Sequence, residues 1–457
     1  MALSGESEDC LYLNFWLPTS SAAGDTHAVM LFLYGGSWVL GSAMFPVYDG
    51  EHLARHGVIA VACNYRLGAF GFLGSDALRA TDGSTGNFGL QDQRMALQWI
   101  HRNAVALGAD RSRVMLFGES AGAGSVSNHL VHPRSWGLFS RAGMESGPFA
   151  DWSSVTLAVA ESRTAALARD VGCSNASRAL LAGCLRNVSA TSILAAQHGL
   201  PAIPPTDALS WAPVVDGVEL RDTVRSLGAR GQIAPNVSVL LGTNRDEGTE
   251  FNRLPTSVNA TALAAYLATV APDFGGANGT AAILAQYAAP RFKPTWLPRA
   301  SADWWRFTRL FGDMQMTCAA RRSARQILDA AAQGGSGARV YVYFFTRELD
   351  AVRVAEVKKG RPMGVMHASE LVFVFDISPA LLAKAERTLA ASMGAYWTSF
   401  AKQGAPVGGA GDPSWPAYEA HSDQVLVLDA PIKVQSGLKR ADCDFWDAFD
   451  VYMQSQR

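Results

Sequence analysis

One stretch constrains this chain more than any other: Val114-Met115-Leu116-Phe117-Gly118-Glu119-Ser120-Ala121-Gly122-Ala123-Gly124. Four apolar residues read as a buried strand. They run into Gly-Glu-Ser-Ala-Gly and then into small residues able to start a helix, which is the G-x-S-x-G elbow in its expected strand–turn–helix setting. So tight a turn requires small residues two before and two after the serine, and Gly118 and Gly122 stand there. The serine is thereby presented at the carboxyl end of the strand, with the amino terminus of the next helix aimed at the same point. The bland alternative is a glycine-rich turn with an inert serine, because the pentapeptide alone fixes only three positions.

The rest of the chain supplies a matching frame. Residues 11–17 alternate as a strand does, and Val29 to Leu33, Val58 to Cys63, Val237 to Leu241, Arg339 to Phe345 and Gln424 to Leu428 read as further strands. Residues 92–107 have helical spacing, stopped at Gly108-Ala109-Asp110, and 378–402 is predicted to be helical. After residue 150 the chain turns helical and alanine-rich, broken by Pro204-Pro205, and 251–300 is expected to form a cap or surface excursion. Strands alternating with helices imply a mostly parallel sheet covered on both faces. Nothing reads as a flexible interdomain linker or an internal repeat, so one domain over 1–457 with cap and loop insertions is expected.

Composition narrows the function classes. A net charge of -1 and no basic run argue against nucleic acid. No apolar stretch reaches the roughly 18 residues of a membrane span. The amino terminus lacks the apolar core of a signal peptide. The six cysteines, at 10, 63, 173, 184, 318 and 443, show no zinc spacing, and no cofactor or metal is implied. Five glycosylation sequons, at Asn175, Asn187, Asn236, Asn259 and Asn278, lean towards a secreted, glycosylated protein with some paired cysteines.

A serine nucleophile needs a base, and the base needs an acid to orient it. With the chain order Ser, acid, His, four of the nine histidines precede Ser120. His129 and His132 follow it too closely, and His198 comes before the best acids. His367 and His421 remain; His421 sits in a polar turn, and His367 in Gly364-Val-Met-His-Ala-Ser-Glu before an apolar run. The acid is expected where strand Val237 to Leu241 exits, at Asp246 or Glu247, and spacing does not choose between them. Oxyanion donors are expected from Ala121 and from the turn Gly35-Gly36-Ser37.

Taken together, these motifs resemble the type-B carboxylesterase/cholinesterase family of α/β-hydrolases. The resemblance is carried by Glu8-Asp-Cys-Leu-Tyr-Leu-Asn14, Phe117 to Gly122, Asn64-Tyr-Arg-Leu-Gly-Ala-Phe-Gly-Phe72, Asn87 to Trp99 and Pro213-Val-Val-Asp-Gly217. It implies Glu247 as the acid, His367 as the base and Gly36, Ser37 and Ala121 as oxyanion donors. Glu119 is placed beside the nucleophile, with Ser146 as a buried serine behind the site, and Trp152, Leu209 and Glu250 around the pocket. It implies disulfides Cys173–Cys184 and Cys318–Cys443, leaves Cys10 without its partner, and marks Cys63 as a core thiol. The chain departs from the pattern in three ways. The resemblance leads to the expectation that the family's amino-terminal edge strands are missing, Ser37 replaces a glycine of the oxyanion turn, and Glu250 stands where cholinesterases carry an aromatic. The implied activity is hydrolysis of small-molecule carboxylic esters through Ser120. The alternatives are a lipase for long-chain acylglycerols and a non-catalytic adhesion module.

Overall fold

In the computed structural model, residues 7–19, 24–174, 177–197, 211–270, 276–296, 299–352, 356, 360–377 and 382–455 are described. Nine strands form one sheet: β1 (Leu13–Trp16), β2 (His27–Leu33), β3 (Ile59–Cys63), β4 (Ala109–Glu119), β5 (Arg141–Glu145), β6 (Ser238–Asn244), β7 (Val340–Phe345), β8 (Gln424–Leu428) and β9 (Lys433–Ser436). Their spatial order is β1-β3-β2-β4-β5-β6-β7-β8-β9. Every neighbouring pair is parallel except the outermost ones, β1 with β3 and β8 with β9.

Alternation of side chains along the central strands makes two cores rather than one. Met30, Phe32, Met115, Phe117, Tyr343 and Phe345 face one side. Val29, Leu31, Val114, Leu116, Val239 and Val342 face the other. The long helices divide between them. Helices α1 (Phe88–Leu107), α2 (Ala121–Val131) and α6 (Cys318–Gln333) cover the second side through Leu97, Ile100, Val126, Leu130, Ala324 and Ile327. Helix α7 (Lys384–Gln403) covers the first through Leu389, Met393, Trp397 and Phe400. The chain is thus an α/β sheet protein of the α/β-hydrolase type.

The stretch 251–300 holds helices α3 (Ala260–Val270) and α4 (Gly276–Gln286). It is no loose excursion: Leu263, Leu267, Ile283 and Tyr287 build a third core with Trp304, Phe307 and Leu310 of α5 (Ala302–Gly312) and Trp446 of α8 (Arg440–Ser455). A π-helical turn at Asp313–Thr317 joins α5 to α6. The predicted helix over 378–402 begins later, at Lys384, and its residues 378–381 lie outside the described residues, as do Pro204 and Pro205.

Candidate active site

Strand β4 ends at Glu119 and α2 begins at Ala121, so Ser120 is the whole connection. Its backbone sits at φ 56° and ψ −124°, a conformation that costs an L-residue energy and persists only when the surroundings enforce it. The enforcement is visible. The Ser120 N–H donates to the Glu145 carbonyl at 2.9 Å, and the Gly124 N–H donates to the Ser120 carbonyl at 2.9 Å. A Cβ at Gly122 would lie 1.9 Å from the Leu33 carbonyl oxygen, and one at Gly118 would lie 2.6 Å from the same atom. The two small residues expected around the serine are therefore required by β2 passing alongside.

The exit of β6 separates the two candidate acids. Glu247 Oε2 lies 2.6 Å from His367 Nδ1. Its Oε1 accepts the Asn244 N–H at 2.7 Å and the Ser146 hydroxyl at 2.5 Å. Both carboxylate oxygens are thus engaged, which fixes the group's orientation. Asp246 points elsewhere. It accepts the Val365 N–H at 2.9 Å and the Arg245 Nε–H at 2.9 Å, and it pairs with Arg309. Its own N–H donates to the Val365 carbonyl at 2.9 Å. Asp246 therefore anchors the loop that carries the histidine, while Glu247 meets the ring. His421 is 83% exposed and pairs with Glu419, on a polar turn outside this cluster.

The other face of His367 meets a second acid, with Nε2 3.1 Å from Glu119 Oε1. The Phe251 ring packs edge-on against the imidazole, its centroid 5.1 Å away. Burial pulls the His367 pKa down, but the charges of Glu119 and Glu247 outweigh it and push the group up to about 10. Burial likewise pushes Glu119 up to about 7, against the opposing pull of His367. These two groups face each other and titrate as a set: once Glu119 holds a proton, its pull on the imidazole is gone. Two further buried acids lie behind them. Burial pushes Glu145 up to about 8, although its Oε1 accepts the Trp397 indole N–H at 2.8 Å. Glu370, held by the Asn244 amide, is raised well above the ordinary carboxyl range, also by burial. Both residues stand in stretches that look familial in the sequence, yet nothing local marks them as site residues.

The turn Gly35-Gly36-Ser37 lies directly over the elbow. A Cβ on Gly35 would come within 2.8 Å of both Ser120 Cβ and Glu119 Oε2. Gly36 has φ 109°, Ser37 φ 56° and Trp38 φ 57°. Among the described residues, no protein acceptor takes the N–H of Gly36, Ser37 or Ala121. Trp152 is half-buried, donates its indole N–H to the Gln315 carbonyl at 3.2 Å, and packs 5.8 Å from the Trp38 ring. Glu250 is exposed on the short helix Gly248–Phe251, and its charge adds to the upward push on Glu119. Leu209 lies outside the described residues.

Comparison with known proteins gives the family. The family model described as the carboxylesterase family matches residues 1–446. The chain belongs to the carboxylesterase family. A cholinesterase of Mus musculus is 33% identical over 469 residues, covering 97% of this chain and 72% of the mouse protein. As a carboxylesterase-family protein, the chain is a carboxylic ester hydrolase, with small-molecule esters as its substrate class. The implied disulfides are present, Cys173 with Cys184 and Cys318 with Cys443. Cys10 and Cys63 are free thiols, and burial pushes Cys63 up to about 12. The two disulfides are consistent with the secretory pathway. Among the described residues, no helix is long and apolar enough to cross a membrane.

Proposed function

We propose that this esterase works through an acyl-enzyme on Ser120. Ser120 Oγ attacks the ester carbonyl carbon as His367 Nε2 accepts its proton. The tetrahedral oxyanion is held by the N–H groups of Gly36, Ser37 and Ala121. His367 then gives the proton to the departing alkoxide, which leaves as the alcohol. Water attacks the acyl carbonyl with His367 again as base, and the acid leaves as Ser120 regains its proton. Glu247 holds the imidazole in the tautomer with its proton on Nδ1 and stabilises the imidazolium formed in each half-reaction. The observation that carries this reading is the 2.6 Å contact of Glu247 with His367 Nδ1, on a ring whose Nε2 meets Glu119, the residue before the serine of the strained elbow.

We read Trp152, whose ring lies 3.2 Å from where a Cβ on Gly124 of the elbow helix would stand, as one wall of the acyl pocket, with Glu119 and Glu250 on its approach. A secreted, glycosylated form fits the two disulfides and the exposed sequons Asn187, Asn236 and Asn259.

The test is a pre-steady-state assay with a short p-nitrophenyl ester. A burst near one equivalent, absent in Ser120→Ala, is expected. A folded enzyme without burst or turnover would favour the adhesion-module reading. Rates that jump on emulsified long-chain triglyceride would favour the lipase.

A further inference from the structure

Two consecutive residues of the oxyanion turn, Ser37 and Trp38, are non-glycine residues at positive φ. Left-handed backbone at a bulky side chain is uncommon and needs enforcement from its surroundings. Here the enforcement comes from the elbow helix. Trp38 is fully buried, and its indole N–H donates to Ser125 Oγ, one helical turn after the serine elbow, at 2.9 Å. The Ser125 hydroxyl in turn donates to the Ala121 carbonyl at 3.1 Å and accepts a second bond from Gln93 Nε2 at 3.1 Å. A hydroxyl has one proton and two lone pairs, so Ser125 is saturated, and each partner's direction is fixed by the others.

The chain of bonds continues and stays consistent. With its amide nitrogen on Ser125, Gln93 offers Oε1 to His129 Nε2 at 3.0 Å, so that nitrogen carries the proton. His129 Nδ1 then accepts from Ser135 Oγ at 2.8 Å. Burial holds His129 well below its ordinary pKa, which keeps the ring neutral and this pattern intact at working pH. The indole also needs room on the helix. A Cβ on Gly124 would lie 2.9 Å from both Trp38 Cζ2 and Cη2. The Trp38 carbonyl is fixed as well, accepting the Gly68 N–H at 2.6 Å.

We propose that Trp38 and Ser125 are positioning residues that lock the Gly36-Ser37 turn to the elbow helix, so that the donors on both sides of the oxyanion keep their spacing through the tetrahedral stage. The proposal rests on the oxyanion-hole assignment above. Preorganised donors contribute most where charge develops, and a small misplacement is costly in rate while leaving ester binding nearly unchanged.

The experiment compares Trp38→Phe, Ser125→Ala and the double variant with the parent. Each is normalised by titrating Ser120 with a p-nitrophenyl phosphate triester. Trp38→Phe keeps the ring bulk and removes the N–H. The readouts are kcat and KM for a short p-nitrophenyl ester, Ki for an aryl trifluoromethyl ketone that binds as a tetrahedral adduct, and Tm. Expected is a fall of about 10- to 100-fold in kcat per titrated site, with KM within about twofold. Ki should rise by the same factor as kcat falls, and the double variant should be no worse than the poorer single, as for residues acting as one unit. Unchanged kcat and Ki in Trp38→Phe, or a loss seen only in Tm and titratable sites, overturns the proposal, as does simple additivity. Ser120→Ala, run beside them, separates this outcome from failure of the acyl-enzyme reading: if it still turns over, the nucleophile assignment itself is wrong.

Discussion

Asp246 Oδ2 accepts the backbone N–H of Val365 at 2.9 Å, so the residue before Glu247 fixes the chain two residues before His367. Adjacent acids thus have separable jobs, one on the backbone of the histidine loop and one on the imidazole. Glu247→Gln should keep the fold, because Ser146 and Asn244 can still bond the amide oxygen. It should lower kcat on the order of 10⁴-fold, as happens when the orienting acid of a serine triad becomes an amide. Asp246→Asn strips the counter-charge from Arg245 and Arg309 at a fully buried site, and should cost about 2–4 kcal/mol of stability. Thermal melts and kcat of the two variants check this. Equal losses of both quantities in both variants would sink the division of labour.

The Glu119–His367 contact predicts a shift in pH dependence. The negative charge of Glu119 is a leading reason that the imidazole holds its proton so firmly. Glu119→Gln removes that charge, so the His367 pKa falls and the free base is available at lower pH. The acid limb of kcat/KM should move down by about one unit or more. A limb that stays put or moves up would show that Glu119 does not bias the histidine.

The central strands were legible because both faces of the sheet are buried and their sequences are nearly continuous apolar runs. Strand β5 was not: Arg141-Ala-Gly-Met-Glu145 has no β-branched or aromatic residue, and it pairs because β4 and β6 flank it on either side. Strand β9 is exposed along its whole length and shows no apolar alternation. Within the site, Ser120 was readable from a local turn. The choice between Asp246 and Glu247 was not, since a single turn of backbone decides which of two neighbours faces a histidine more than a hundred residues later. Glu145 and Glu370 are ordinary acids in sequence and become unusual only through burial, which local sequence does not carry. The pairing of Cys318 with Cys443 came from family resemblance alone.

That disulfide closes a 125-residue separation, against 11 for Cys173–Cys184. Loop-closure entropy makes the longer tie worth about 2 kcal/mol more. It holds α8 against α6, where Arg321 also pairs with Asp444 at 2.8 Å. Replacing Cys318 and Cys443 by alanine should therefore lower the denaturant midpoint more than replacing Cys173 and Cys184. Urea titrations of the two double variants check the order, and a reversed order would mean that the small loop carries more of the fold than its length implies.

Glu145 gives a stability prediction whose sign follows from its burial. In the unfolded chain its carboxyl loses the proton near the ordinary glutamate value of about 4.3, whereas in the folded protein burial holds the proton up to about 8. Between those values the folded state binds more protons than the unfolded one. This group's contribution to stability is therefore full below the lower value and is lost as pH rises through the upper one. Glu145→Gln cannot ionise, and its amide oxygen can still accept the Trp397 N–H. Relative to the parent, the variant should gain about 1–3 kcal/mol between pH 4 and pH 9. Because the comparison is between slopes, a constant packing cost of the substitution cancels. Parallel denaturation curves across that range for parent and variant would show that Glu145 is not held protonated by the fold.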